Sequence, residues 1–307
     1  MIAHRERVDR SGPGVAFVMA AMGFAVLALA SSSIFIAKLE RVPALVIAFY
    51  RMALAAAFLT PAAITLKRRE LSSFGRRDLA LLALGGFFLA VHFGAWITSL
   101  KYIPIATSVV LVNSHPLFVV IASYFFLGEK PVARGLAGTA MGLAGMAVIS
   151  KDALSDLQLA IKGDGLAIVG ALAVVGYFIV GRKARARISL LGYATPLYAV
   201  CSAFLLVMVL ATRSPLYPYT ATEWVYFVAL AIVPTILGHT VFNWALKHVR
   251  PSTISLAFLC EPVVASVLAF FVLGQRPTVA TLIGGALIMA GIYLTTSGRI
   301  SEDNLSD

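Results

Sequence analysis

The sequence predicts an all-α integral membrane protein whose ten transmembrane helices form two inverted five-helix repeats. Three observations carry this prediction. The 307 residues are 60% hydrophobic and only 13% charged, with a mean hydropathy of +0.91, whereas a water-soluble domain carries about a quarter charged residues. The apolar runs last about 20 residues, the length a helix needs to cross ~30 Å of hydrocarbon. A β-barrel would instead show ~10-residue segments of alternating polarity. Finally, one stretch of the chain recurs at a fixed offset.

The spans follow in order as 14–38, 43–66, 78–100, 104–127, 131–150, 163–182, 190–211, 223–246, 251–273 and 277–297. The first follows a basic tail, His4 to Arg10, and is too long for a signal-peptide core, so it is expected to be retained. Charge or proline marks each break, from Lys38–Pro43 and Lys67–Asp78 to Lys247–Pro251 and Gly274–Pro277. Pro104, Pro131, Pro251 and Pro277 read as helix starts, because a proline in the first turn forfeits no hydrogen bond.

Lys and Arg distribution sets the orientation. Seventeen of the 25 fall on the side of the N-terminus, seven on the other, and Arg51 lies within a span. Both termini are therefore expected to be cytoplasmic, in a cell inner (plasma) membrane. The net charge of +11 resides largely in these short loops, so no nucleic-acid partner is expected. Cys201 and Cys260 lie in apolar runs without metal-ligand spacing, and neither metal nor cofactor is expected.

Residues 100–131, LKYIPIATSVVLVNSHPLFVVIASYFFLGEKP, align with 246–277, LKHVRPSTISLAFLCEPVVASVLAFFVLGQRP, at an offset of 146. Leu-Lys, an internal proline and Leu-Gly-x-x-Pro recur in order, and Gly138/Gly284 and Gly145/Gly291 continue the register. Five spans per copy is an odd number, so the second copy inserts upside down. The expected organisation is a tail (1–13), a first repeat (14–150), an extracytoplasmic connection (151–162), a second repeat (163–297) and a tail (298–307). Inverted repeats are a common device of alternating-access transporters, with the site between the halves near the bilayer midplane.

Polar groups at depth mark that site, since an ionisable side chain facing lipid is costly. Glu261 is the only acid well inside a span, ~15 Å deep at ~1.5 Å per residue. Its repeat mate is His115, and Pro116 and Pro262 follow them as matching interruptions and candidate hinges. His115 and Glu261 are also the candidates for a coupling proton, because histidine titrates near neutrality and a desolvated Glu is raised toward it. Arg51 is placed either to clamp a carboxylate, to pair with Glu261 or to cap carbonyls. Asn113 lies near His115 on span 4. Thr235, His239 and Asn243 form a polar stripe on span 8, and His92 and Trp96 share a face of span 3. Tyr50, Trp96, Tyr177 and Trp244 offer aromatic surface for stacking. Gly138, Gly142 and Gly145 make a small-residue face suited to close helix packing, or to a weak homodimer of a chain otherwise expected to be monomeric.

The two five-helix halves, the LGEKP and LGQRP ends of spans 4 and 9, CEPVVA of span 9 and FNWALKHV of span 8 resemble the EamA-type family of the drug/metabolite transporter superfamily. The resemblance covers about 14–297. It implies transport of a small molecule across the lipid bilayer, mostly export of amino acids, metabolites or drugs, and the aromatic amino acid exporters are the subgroup most resembled. Gln275 departs from the family's pattern, standing where many members carry an acid, as Glu129 does in the first repeat. The alternatives are a drug exporter or a nucleoside- or vitamin-like metabolite transporter of the same superfamily, and a membrane-embedded enzyme. The enzyme reading lacks support in GxSxG, HExxH or paired-Asp motifs, and no Walker motif is present.

Overall fold

In a computed structural model, the described residues are 15–115, 117–118, 133–151, 157–245, 247–248, 257–258 and 260–303. They form ten helical columns: α1 (Val15–Ala37), α2 (Ala44–Ser72), α3 (Arg76–Ser99), α4 (Ile105–Val112), α5 (Ala133–Lys151), α6 (Leu157–Arg185), α7 (Leu190–Ala211), α8 (Ala221–Ala245), α9 (Cys260–Leu273) and α10 (Val279–Asp303). Each falls on one predicted span. Six of them, α1, α2, α3, α6, α7 and α8, are long and apolar enough to cross a membrane.

Local chemistry sets the ends. Pro43 and Pro104 occupy the N-cap positions of α2 and α4. Ser189 caps α7 through the Gly192 amide, and Thr220 and Glu223 close a capping box on α8. Pro131, Pro251 and Pro116 lie outside the described residues, as do 1–13 and 304–307 of the tails.

Three boundaries differ from expectation. Helix α2 continues to Ser72 after a non-helical Lys67 (φ −128°, ψ 17°), so the apolar span ends at a kink and a polar helical turn follows. The 151–162 connection is helical from Leu157 onward, because the sequence LQLAI there is itself apolar and helix-compatible; its first part, 152–156, is not described. Helix α10 runs on to Asp303, since the polar residues beyond 297 leave the lipid span without stopping the helix.

Helix packing shows the duplication directly. Exchanging each helix with the one five places later carries each of the most extensive helix contacts onto another of them or onto itself. Helix α3 packs on α6 as α8 packs on α1, α1 on α9 as α6 on α4, and α3 on α7 as α8 on α2; α2–α7, α4–α9 and α5–α10 pair with their own mates. The first helix of each repeat thus leans on the third of the other, and the halves interlock.

The tightest of these contacts uses the repeated glycines. A Cβ on Gly145 would lie 2.5 Å from the Gly284 carbonyl oxygen, and one on Gly291 would collide with the Gly138 carbonyl. The two contacts exchange under the repeat, so the small-residue face of α5 is filled by α10. Replacing Gly145 or Gly291 with leucine should cost about 1–3 kcal/mol by overpacking. Thermal unfolding in detergent checks this: both variants should melt below Gly23→Leu, where an added Cβ meets nothing within 4 Å.

Candidate functional site: a central cavity between the repeats

The ten columns leave a cavity of about 430 Å³, counting the part that opens outward, walled by α1, α2, α3, α4, α6, α8, α9 and residue Phe258 preceding α9. Seven of the residues singled out above line it: Arg51, His92, Trp96, Asn113, His115, His239 and Glu261. Leu29, Ser32, Val112, Val174, Phe178 and Phe258 complete the wall.

Arg51 organises one side. It is fully buried. Its Nε donates to Thr235 Oγ1 (2.8 Å) on α8 and its Nη1 to Ser32 Oγ (2.8 Å) on α1, while the guanidinium carbon lies 4.2 Å from the centroid of the Phe93 ring. Among the described residues no carboxylate comes within 4.0 Å of it, so the pairing with Glu261 considered from sequence is not formed. Among the described residues Nη2 has no hydrogen-bond partner.

Thr235 reaches Arg51 because α8 is not a regular helix there. Residues Ala231–His239 form a π-helical segment containing Pro234. Pro234 has no N–H for the Leu230 carbonyl, and its ring crowds that group. The Thr235 hydroxyl donates to the Leu230 oxygen instead (2.8 Å), and the Thr240 amide donates to the Thr235 carbonyl five residues back. π-Segments of this kind are frequent at functional sites. The sequence reading of an unbroken helix missed it, although the Pro-Thr pair inside an apolar span was the available signal.

His92 Nδ1 lies 2.9 Å from the Gly170 carbonyl; a carbonyl only accepts, so Nδ1 carries the hydrogen. The ring stacks on Trp96 at 6.1 Å and 15°, which fixes the indole plane. Trp96 is 4% exposed and its Nε1 is unpartnered. On α4, regular helix ends at Val112, four residues before Pro116, and His115 Nδ1 approaches the Val112 carbonyl at 3.4 Å. Asn113 sits beside the Glu261 carboxyl, with no hydrogen bond made by its Nδ2. Pro262 is buried in the opening turn of α9.

Four sequence candidates stand outside the cavity. Tyr177 donates to Asn243 Oδ1 (2.7 Å), and Arg185 Nε donates to the Asn243 carbonyl (3.2 Å); Asn243 Nδ2 has no partner among the described residues. Phe178, the next residue after Tyr177, takes the place at the wall. Tyr50 stacks on Phe227 (4.8 Å) among Tyr219 and Trp224 and donates to the Leu216 carbonyl (2.7 Å). Trp244 meets Phe17 edge-on at 6.1 Å. Ser32, missed in the sequence, was signalled by Ser31–Ser33, three hydroxyls in an otherwise apolar span.

The wall also carries the repeat. Ser32 and Phe178, Val112 and Phe258, and His115 and Glu261 each differ by 146 positions. The two copies supply equivalent places with different chemistry, and Arg51 answers to a buried leucine, Leu197.

Comparison with known proteins agrees with this architecture. The EamA-like transporter family matches twice, at residues 14–151 and 161–297. The chain belongs to the EamA-like transporter family. An uncharacterized transporter of Archaeoglobus fulgidus is 29% identical over 262 residues, 82% of this chain and 87% of that protein. A probable terminal-alkyne amino-acid exporter of Streptantibioticus cattleyicolor is 28% identical over 74% of this chain and 77% of its own length. A probable amino-acid metabolite efflux pump of Escherichia coli is 23% identical over 69% and 71%. One crystal structure shares the fold with a TM-score of 0.66 at 20% identity, covering 92% of this chain and 98% of that one. This EamA-like protein is therefore an all-α membrane protein whose relatives are named transporters.

Within it, Thr235→Val should strand the buried Nε of Arg51, at a cost of about 1–3 kcal/mol. Ser31→Ala, which removes only a hydroxyl bonded to its own helix at the Ala28 carbonyl, should be near neutral. Unfolding midpoints of the two variants in detergent separate these outcomes.

Proposed function

We propose that this protein is a secondary transporter that exports a neutral or aromatic amino acid, or a close metabolite, by alternating access of its two halves around the central cavity. The observation that carries the reading is the wall itself: one buried guanidinium (Arg51) and one buried carboxyl (Glu261) share a cavity with Trp96, Phe178 and Phe258. One cation and one acid match a zwitterion; a polyanion would call for several Arg or Lys. The names of the Streptantibioticus and Escherichia relatives point the same way. The 17-to-seven distribution of Lys and Arg supports an inner-membrane protein with both termini in the cytoplasm. His115 and Glu261, at equivalent places in the two repeats, are the candidate carriers of a coupling proton, and Pro116 and Pro262 the candidate hinges.

Overexpression in a bacterial host should lower intracellular tryptophan, phenylalanine or threonine and raise resistance to their toxic analogues. No change with any analogue would reject the amino-acid reading. In proteoliposomes, an imposed pH gradient should drive flux through the unmodified protein and lose its effect in Glu261→Gln; a variant that keeps the gradient dependence removes Glu261 as the proton carrier.

A further inference from the structure

Two buried N–H donors in the cavity wall have no partner among the described residues, and the groups that carry them are neighbours. Arg51 is 0% exposed and Trp96 4%, both line the cavity, and neither Arg51 Nη2 nor Trp96 Nε1 makes a hydrogen bond among the described residues. The Arg51 guanidinium carbon is 6.0 Å from the Trp96 ring centroid. We infer that Arg51 Nη2 and Trp96 Nε1 form a two-donor clamp for a single carboxylate, so that the protein selects carboxylate-bearing substrates and Trp96 is a specificity-determining residue.

The inference rests on the export reading above and narrows it. Both donors are held rigidly by contacts that leave one N–H uncommitted. Arg51 is pinned by Ser32, Thr235 and the face of Phe93, and Trp96 by the stacked His92 ring, itself anchored on the Gly170 carbonyl. A carboxylate set between the two groups would offer one oxygen to each donor at charge-assisted hydrogen-bond length. The ligand is anionic at that end, because the buried guanidinium forms no ion pair among the described residues and a counter-charge there would match it. It carries a single charge there, since among the described residues lining the cavity Arg51 is the one basic side chain other than histidine. An ester, amide or amine in the same place would leave the guanidinium charge unmatched.

The test uses the full chain in proteoliposomes with L-phenylalanine as the probe, and L-phenylalaninamide and phenethylamine as competitors lacking the carboxylate. For the unmodified protein both competitors should inhibit at least about tenfold more weakly than unlabelled phenylalanine, the usual worth of a hydrogen bond to a charged group. Trp96→Phe, which keeps an aromatic side chain but deletes the N–H, should raise KM for phenylalanine about tenfold with little change in maximal rate. It should also narrow the gap between the acid and the amide. The stabilisation of its melting temperature by added phenylalanine should shrink relative to the unmodified protein.

Equal inhibition by the acid and the amide, or an unchanged KM in Trp96→Phe, would overturn the clamp while phenylalanine flux still upholds export. Flux of phenethylamine with none of phenylalanine would overturn both. The competitor series is run on the unmodified protein, so the proposal stays testable even if the Trp96 variant does not fold.

Discussion

A backbone inside hydrocarbon has to close its own hydrogen bonds, and each local departure from the helical ladder therefore needs a polar atom brought to it. Two of the departures seen here fall at the cavity. Pro234 strips the Leu230 carbonyl of its donor, and the Thr235 hydroxyl fills in. Regular helix stops at Val112, and His115 turns its Nδ1 toward the carbonyl left there. Both repairing side chains also serve the wall: Thr235 orients Arg51, and His115 lines the space itself. Backbone irregularity and polar lining are two consequences of the same requirement.

The duplicated scaffold and the site built on it follow different rules. Packing is symmetric because it depends on shape: Gly145 against Gly284 and Gly291 against Gly138 are one contact made twice. The lining departs from that symmetry because it depends on chemistry. His115 faces a place equivalent to that of Glu261, Ser32 to that of Phe178, and Arg51 is answered by buried Leu197. Leu197 is fully buried and stands apart from the residues that line the cavity, so a charge there would be buried with no solute to match it. One copy therefore keeps the charge, and the other keeps the apolar packing that the duplicated fold needs.

Much of the fold was legible in the residues. Span length and loop charge located all ten columns, since lipid imposes both, and the 146-residue register foretold which helices would be exchanged by the repeat. Depth arguments found Arg51, Glu261 and His115, because ionisable groups in a span stand out against apolar neighbours. Side-chain direction was harder to read. Tyr177 and Phe178 are adjacent and both aromatic, and only the position of Asn243 decides which one turns to the wall. Ser32 and Phe93 escaped notice because a serine or phenylalanine in a membrane helix is ordinary. Their importance comes from contact with Arg51, across three helices whose rotation the sequence leaves open.

Arg51 also bears on what an unliganded cavity costs. Two of its three nitrogens are matched by hydroxyls and its face by Phe93; the third is unpaired, as is the indole nitrogen of Trp96. Each unpaired buried donor forgoes about 1–3 kcal/mol, a sizeable share of a net stability of about 5–15 kcal/mol. Further hydroxyls could have completed both groups, as they did for the other two nitrogens. A wall completed in that way would be more stable and would have nothing left to offer a solute. A carrier has to bind and then let go, so a small number of rigidly aimed, unfilled donors suits it better than a saturated site. The same incompleteness ties occupancy to stability, because a ligand that fills the donors favours the arrangement in which α1, α2, α3 and α8 are drawn together around it.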